Sequence, residues 1–132
     1  MIEMEFKGRK IFTGKAKGEA LVTTEGISFY GGVDAETGIV TQKGHPLEGQ
    51  NVSGKVLVFP QGTGSTVGSY VLYQLKKGGK APAAIINKEC ETIVAVGCII
   101  SEIPCVDSVD IEKIKSGDTV SVDAEEGIVK VE

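Results

Sequence analysis

Aromatic residues, histidine and positive charge are all scarce in this sequence of 132 residues. Tryptophan is absent, aromatic residues make up 5%, and 14 basic residues against 18 acidic ones leave a formal net charge of −4. A nucleic-acid-binding protein needs a basic surface, and the binding of single strands also needs aromatic side chains on which bases stack. The composition therefore excludes nucleic acid as an expected partner.

Long hydrophobic runs are absent as well. Stretches such as the one from Ile93 to Ile100 are far shorter than the ~20 apolar residues that a membrane-spanning helix needs. The opening residues, MIEME, include two acids and lack the apolar segment of a secretory signal. We therefore expect no membrane partner and a cytoplasmic location.

Cysteine is limited to three residues, Cys90, Cys98 and Cys105. An odd number of cysteines without an export signal favours free thiols in a reducing compartment. Their spacing does not contain the paired C-x₂-C pattern of zinc sites, and Cys98 lies in an apolar run. We expect buried thiols and no metal ligands on this chain.

Glycine, in contrast, is abundant, with 18 residues that divide the chain into short segments. The length matches one domain of about 100–200 residues, and we expect that domain to span residues 1–132. Alternating and β-branched residues predict strands over 4–12 and 15–23, joined as a hairpin by a turn at 13–14. The polar, glycine-rich stretch 31–50 is typical of a functional loop.

The centre and the tail of the chain show a regular order of predicted elements. The apolar run KVLVF at 55–59 is typical of a strand buried on both faces. The elements predicted for this part of the chain are strands over 55–59, 83–87, 105–109, 118–123 and 128–131, helices over 65–77 and 91–102, and a helical turn over 111–114. This order predicts an α+β fold with layered β/β/α architecture, in which antiparallel terminal strands surround a β-α-β-α centre.

Helical spacing supports the second predicted helix. Five apolar residues recur at a period near 3.6, which predicts a helix that ends before Pro104. They are Ile93, Val96, Ile99, Ile100 and Ile103.

The strongest local signal is the stretch GTGSTVGS at 62–69, between a predicted buried strand and a predicted helix. Glycines let the backbone approach a ligand, and a helix start offers unpaired N–H groups and the positive end of the helix dipole. The stretch lacks the Gly-Lys-Ser/Thr ending of a P-loop and the glycine order of a dinucleotide site. From these residues alone, Ser65 is either a helix N-cap or a chemically active group.

Other candidate residues have both structural and functional interpretations. The single histidine, His45, either faces solvent, bonds locally or belongs to a site, and no catalytic triad can be built on it. Asp34 and Glu36 occupy a turn in which acids either bond to the local backbone or contact a partner or substrate. The basic residues near the N-terminus either line a solvated strand face or contact phosphate; they are Lys7, Arg9, Lys10, Lys15 and Lys17.

Several blocks that occur in a fixed order resemble the small, swivelling-domain subunit of the aconitase X family. They are SFYGGVD at 28–34 with ETG at 36–38, HPL at 45–47 with GQ at 49–50, the GTGSTVGS stretch, and APAAI at 81–85. The resemblance covers roughly the whole chain. It implies a swivelling β/β/α domain like the C-terminal domain of aconitase.

The resemblance also implies an iron-sulfur hydro-lyase that consists of two chains. The large subunit would carry the four-iron four-sulfur cluster and most of the cleft, and this chain would contribute Ser65 as the catalytic base. Gly62, Gly64 and Thr66 would shape the loop and help to bind substrate. In archaeal two-chain members the expected substrate is a phosphorylated hydroxy acid, 5-phosphomevalonate, which is dehydrated to trans-anhydromevalonate 5-phosphate in a modified mevalonate pathway.

Three alternatives remain open at this stage. Relatives include dehydratases of other hydroxy acids such as hydroxyprolines, and the chain could be a swivelling interaction module without catalytic groups. The tail over 115–131 also resembles the closing hairpin of phosphohistidine carrier domains, but those domains need a histidine where Ser65 stands. In each dehydratase hypothesis, the large subunit is expected to bind through the faces around Ser65 and residues 31–50.

Overall fold

A computed structural model describes residues 2–132 of the chain. Its elements, in chain order, are β1 (Met4–Lys7), β2 (Arg9–Phe12), β3 (Lys15–Val22), the kinked helical turn α1 (Phe29–Gly32), β4 (Val56–Phe59), α2 (Gly68–Lys77), β5 (Ala84–Asn87), α3 (Thr92–Ser101), β6 (Cys105–Asp107), a 3₁₀ turn (Ile111–Lys113), β7 (Thr119–Asp123) and β8 (Ile128–Val131). The predicted α+β class is confirmed. Within residues 2–132, no helix has the length and apolar character needed to cross a bilayer.

The strands form a mixed sheet in the order β1-β8-β7-β3-β4-β5-β6-β2. The strands β3, β4, β5 and β6 run parallel to one another, and α2 and α3 connect β4 to β5 and β5 to β6. The pairs at both ends of the order are antiparallel. This topology confirms the predicted antiparallel strands around a β-α-β-α centre, including the C-terminal hairpin of β7 and β8.

Gly8 brings the two ends of the strand order together. β1 and β2 lie at opposite ends of the order, although only Gly8 separates them in the chain. A Cβ atom on Gly8 would lie 2.3 Å from the carbonyl oxygen of Asp107, so a side chain cannot be accommodated there. The predicted continuous strand over 4–12 is therefore wrong, because the chain leaves β8 and joins β6 at this residue.

The predicted N-terminal hairpin is also wrong. Residues 15–19 of β3 pair with β7 and residues 20–22 pair with β4, whereas β1 pairs with β8 and β2 pairs with β6. An isolated two-stranded hairpin is only marginally stable in water. Pairing with distant strands buries the inward side chains of all these strands, so the tertiary arrangement overrides the local turn signal.

Alternating side chains of β4 show how the layers are stacked. Val56 and Val58 point toward the terminal strands and pack with Val120 and other residues of β7 and β8. Leu57 and Phe59 point to the opposite side and pack with residues of α2 and α3. Both faces of β4 are therefore buried, as its unbroken apolar sequence predicts. The terminal strands form one layer, the parallel strands form the second and the helices form the third, which is the expected β/β/α arrangement.

The predicted second helix is present as α3, which buries one of its faces. Val94, Gly97, Cys98 and Ser101 are buried, whereas Val96, Ile99 and Ile100 expose 41, 50 and 44% of their surface. A Cβ atom on Gly97 would lie 2.4 Å from Leu72 Cδ1, so α2 can approach closely only at this small residue. The helix is apolar around most of its circumference, and backbone approach at Gly97, rather than periodicity, determines its orientation.

An ion pair between Arg9 and Asp107 joins β2 to β6. Arg9 Nε and Nη2 donate to the two carboxylate oxygens of Asp107 at 2.9 and 2.8 Å. The Cys90 amide donates to the same carboxylate at 2.8 Å, which connects the loop before α3 to these strands. Burial raises the pKa of Asp107, but hydrogen bonds from Arg9 and Cys90 outweigh burial, so the pKa lies below its usual value.

We predict that Asp107→Asn destabilises the fold by about 2 kcal/mol at neutral pH, because charge-assisted hydrogen bonds to a buried group are lost. Because the pKa of Asp107 is lower in the folded protein than in the unfolded chain, the ionised carboxylate stabilises the fold at pH values above the pKa of the unfolded chain. This stabilisation is lost as the pH falls through the pKa of the folded protein. The deficit of the variant should therefore shrink in acid. Denaturant unfolding of wild type and variant, at neutral pH and at pH ~2, measures the difference in their free energies of unfolding at each pH.

The matched control is Glu19→Gln, which removes an ion pair between exposed side chains, Lys55 and Glu19. We expect a change below about 1 kcal/mol for this control. An Asp107→Asn deficit that stays the same at both pH values would contradict the assigned role of the carboxylate.

Candidate active site

Ser65 lies in an exposed turn between β4 and α2. The Gly68 amide donates to the Ser65 carbonyl at 2.9 Å, so one turn of backbone precedes α2, and the helix predicted from residue 65 begins at Gly68. The Val67 amide donates to Ser65 Oγ at 3.1 Å. The hydroxyl therefore accepts a local capping bond, and its own proton has no acceptor within residues 2–132.

The backbone around Ser65 offers further hydrogen-bond donors. Within residues 2–132, the amides of Gly64, Ser65 and Thr66 donate to no protein acceptor. They lie at the N-terminal end of α2, where the helix dipole adds positive potential. Such an arrangement favours an anion, or an oxygen that gains negative charge, beside Ser65.

Gly62 and Gly64 fix the shape of the loop for different reasons. A Cβ atom on Gly62 would lie 2.4 Å from Glu91 Oε1, so this residue permits close contact with the start of α3. Gly64 has φ +83°, which disfavours any L side chain, and its Cβ position is 2.4 Å from Ser28 Oγ. Both positions are therefore restricted to glycine by close contacts, while the side chain of Thr66 is exposed.

A short segment over 26–28 supports the loop from one side. Ile27 forms a parallel bridge with Gly62, in which the Ile27 amide donates to the Gln61 carbonyl at 3.2 Å and the Thr63 amide donates to the Ile27 carbonyl at 2.9 Å. Ile27 is fully buried. The position of the Ser65 turn is therefore coupled to a segment that lies far from it in the sequence.

His45 connects the 31–50 loop to this supporting segment. Its ring is buried, with Nδ1 accepting from the Leu47 amide at 3.0 Å and Nε2 placed 3.0 Å from the Gly26 carbonyl. The hydrogen-bond network thus assigns a neutral ring that carries its proton on Nε2 and donates it to Gly26. Of the three sequence interpretations, the structure places His45 in the local hydrogen-bonding role.

Several of the remaining candidates have partners elsewhere in the fold. Asp34 Oδ1 accepts from the Glu36 amide at 2.8 Å in a turn, while the side chain of Glu36 is exposed. Among the basic residues, Arg9 binds Asp107 and Lys17 lies 3.0 Å from Glu132. The structure brings none of these side chains to Ser65. The 31–50 loop also buries apolar residues, including Val33, Val40 and Leu47, so it is part of the core as well as of the surface.

Glu91 is a structural residue of the site that sequence reasoning missed. Its carboxylate accepts from the Ile93 and Val94 amides at 2.6 and 3.0 Å and thereby caps α3. The same side chain packs against Gly62. A glutamate is an uncommon N-cap, so its position one residue before the helix gave no clear signal.

The three cysteines do not fit an iron-sulfur cluster. Cys98 and Cys105 are buried, and Cys90 Sγ donates to the Glu91 carbonyl at 3.6 Å. The neighbouring Cys105 thiol, together with burial, raises the pKa of Cys90. The Cys90 thiol lowers the pKa of Cys105, but the Cys98 thiol and burial outweigh it, so the pKa of Cys105 is also raised. Cluster ligands are thiolates, whereas this environment favours protonated thiols. Within residues 2–132, no group of three or more metal-binding side chains has a geometry suited to a metal ion.

Comparison with known proteins extends these observations. The family model of the aconitase X swivel domain matches residues 5–131. The phosphomevalonate dehydratase small subunit of Thermococcus onnurineus is 60% identical over 129 residues, which cover 98% of this chain and 99% of that protein. The protein of the same name from Methanocella arvoryzae is 58% identical over 131 residues and covers 97% of this chain and 99% of that protein.

A solved structure is similar over the same length. The crystal structure of Thermococcus kodakaraensis aconitase X in its holo-form superposes with a TM-score of 0.97 at 58% sequence identity, covering 98% of this chain and 99% of that one. Similarity therefore extends over both sheets and both long helices.

We predict that Gly64→Ala disturbs the Ser65 turn more than an equally strained substitution elsewhere. Gly49→Ala is the matched control, because Gly49 has φ +85° and nothing lies within 4 Å of its Cβ position. Each substitution should cost roughly 1–2 kcal/mol for the left-handed backbone. Only Gly64→Ala also collides with Ser28. Amide hydrogen exchange over 62–69 should accelerate in Gly64→Ala and stay unchanged in Gly49→Ala; equal exchange in both variants would refute the role of this contact.

Proposed function

This chain belongs to the aconitase X swivel domain family, and from that premise we propose that it is the small subunit of a phosphomevalonate dehydratase. The enzyme dehydrates 5-phosphomevalonate to trans-anhydromevalonate 5-phosphate in the archaeal mevalonate pathway of isoprenoid biosynthesis. The relatives that bear this subunit name match nearly the whole chain. In this proposal residues 1–132 act as a single swivelling domain in the cytoplasm.

The observation that supports a catalytic contribution from this chain is the hydrogen bond from the Val67 amide to Ser65 Oγ at 3.1 Å. Dehydration of a β-hydroxy acid requires removal of a proton from the carbon next to the carboxylate. The hydroxyl then leaves from the neighbouring carbon as the double bond forms. We assign Ser65 as the base: its ionised oxygen takes the proton and becomes the neutral hydroxyl.

A serine oxygen is a weak base unless its negative charge is stabilised. The Val67 amide already points at Oγ, and the start of α2 adds positive potential, so this stabilisation is present before substrate binds. The free amides of Gly64, Ser65 and Thr66 are suited to hold an anionic oxygen of the substrate. In this proposal they bind its carboxylate or its phosphate.

The site is incomplete on this chain. Ser65 is exposed to solvent, where water protonates an alkoxide and weakens its interaction with the backbone amides. The small-subunit name of the relatives implies a large-subunit partner, and we propose that this partner covers the Ser65 turn and excludes water. Because the cysteines described above do not fit a cluster, we place the four-iron four-sulfur cluster, which the family implies, on the large subunit.

We predict that dehydration of 5-phosphomevalonate requires both chains. The purified small chain should show no turnover and should not hold iron in stoichiometric amount, whereas co-expression with the large subunit under anaerobic conditions should give an active complex. Iron bound stoichiometrically to the small chain alone would overturn the division of roles. A stable, cluster-loaded complex that leaves 5-phosphomevalonate unchanged would redirect the proposal to another hydroxy acid, such as a hydroxyproline.

Replacing the proposed base tests the role of Ser65. We expect Ser65→Ala in the assembled complex to lower kcat by roughly 10²–10⁴, the usual contribution of a general base, with unchanged assembly. Ser53→Ala, in a loop outside the site, is the matched control and should keep wild-type turnover. Unchanged turnover in Ser65→Ala would mean that the chain acts as an interaction module and that Ser65 only caps the backbone.

A further inference from the structure

Exposed apolar side chains are concentrated on the outer face of the helix layer. On α3, Val96, Ile99 and Ile100 are spaced as neighbours on one helix face and expose between 41 and 50% of their surface. On the N-terminal half of α2 and the turn before it, Tyr70 and Val67 expose 64 and 46%. Single exposed apolar residues are ordinary on a protein surface, but a contiguous group marks an interaction site.

The two helices present these residues as one continuous surface. Tyr70, Tyr73 and Ile100 line a shared depression between α2 and α3. The rings of Tyr70 and Tyr73 pack edge to face with centroids 6.1 Å apart, which holds both aromatic side chains in place. We call the surface formed by Val67, Tyr70, Tyr73, Val96, Ile99 and Ile100 the helical face.

The helical face extends directly to the proposed catalytic serine. Val67 is two residues from Ser65, and its amide donates a hydrogen bond to Ser65 Oγ. On the other side of the turn, Tyr30 exposes 57% of its surface. Its backbone nitrogen lies near Gly68, 3.6 Å from the position that a Cβ atom on Gly68 would take. A partner that shields Ser65 from water must therefore cover part of this face.

Charge is distributed unevenly along the helical face. Its core positions have no ionisable group apart from the tyrosine hydroxyls, whereas Lys76 and Lys77 lie at the C-terminal end of α2, away from Ser65. Lys77 Nζ is 5.9 Å from the centroid of the Tyr73 ring. A surface complementary to this face would be apolar at its centre and acidic opposite these two lysines.

We propose that the helical face is the docking surface for the large subunit, an inference that rests on the function proposed above. Two ten-residue helices side by side have a footprint on the order of 300 Å². A stable interface needs about 800 Å² on each partner, so the contact continues from the helices over the Ser65 turn and Tyr30. The expected site therefore lies on the α2 and α3 side, and the 31–50 loop is peripheral to it.

The large subunit fits this face better than a second copy of the chain does. A copy seated here would cover Ser65 with a surface that, within residues 2–132, has no cluster of three or more side chains able to hold a metal ion. The helical face of a second copy also has no acidic side chain that could pair with Lys76 and Lys77. The large subunit, in contrast, must approach Ser65 for the proposed reaction to occur.

Affinity for the purified, cluster-loaded large subunit tests the docking surface without relying on turnover. Ile100→Asp and Tyr70→Asp are the test variants, and both place a charge on an exposed helical position. Ile2→Asp is the matched control, because Ile2 is an exposed isoleucine (52%) outside the helix layer. Circular dichroism melts establish that each variant is folded, and Tyr70→Asp serves if Ile100→Asp does not fold.

We expect each test variant to raise the Kd for the large subunit at least tenfold, equivalent to about 1.4 kcal/mol, as measured by biolayer interferometry. The Ile2→Asp control should stay within twofold of wild type. Ser65→Ala should bind normally while losing turnover, so a failure of the catalytic proposal and a failure of docking give different results. A complex that forms through this face but does not dehydrate 5-phosphomevalonate would refute the proposed function and leave the docking surface intact.

Two results would overturn the inference. One is wild-type affinity for the large subunit in both folded test variants. The other is a wild-type small chain that forms a dimer on its own, as measured by light scattering, while both test variants are monomeric and bind the large subunit with unchanged affinity. The second result would assign the helical face to a second copy.

Discussion

Burial of the parallel strands on both faces is the constraint on which the rest of this structure depends. β4 and β5 consist of buried residues only, so one layer must cover each side of them. The terminal strands cover one side and the two long helices cover the other. Because parallel strands require crossover helices, the turn after β4 leads directly into α2. Ser65 is thus placed at the carboxyl end of a buried strand and at the amino end of a helix by the same requirement that forms the core.

The same reasoning explains which parts of the structure were predictable from sequence. The unbroken apolar run KVLVF at 55–59 indicates a strand buried on both faces, and the alternating residues of the C-terminal hairpin indicate strands buried on one face. Both segments were predicted correctly as strands. Gly8 has no comparable signal, because its role depends on Asp107 and on strands that are distant in sequence. The buried face of α3 does not follow from periodicity, because that helix is apolar around most of its circumference and the small size of Gly97 against Leu72 decides its orientation.

The candidate site shows a similar division. The glycine-serine stretch could be recognised locally, and its resemblance to a family added a role for Ser65 that the residues alone left open. The supporting segment over 26–28, the buried ring of His45 and the cap of α3 by Glu91 could not be predicted, because each depends on tertiary contacts. These contacts determine the position of the turn, whereas the local sequence determines only its chemistry.

The pairing of β1 with β8 places the beginning and the end of the chain side by side. The Glu3 amide donates to the Val131 carbonyl at 2.8 Å, and both strands belong to the layer on the opposite side of the molecule from α2 and α3. A covalent linker attached at either terminus would thus start from nearly the same point, away from the Ser65 turn. The fold is therefore well suited to circular permutation, and to fusion with another polypeptide in either order, without rearrangement of its helices.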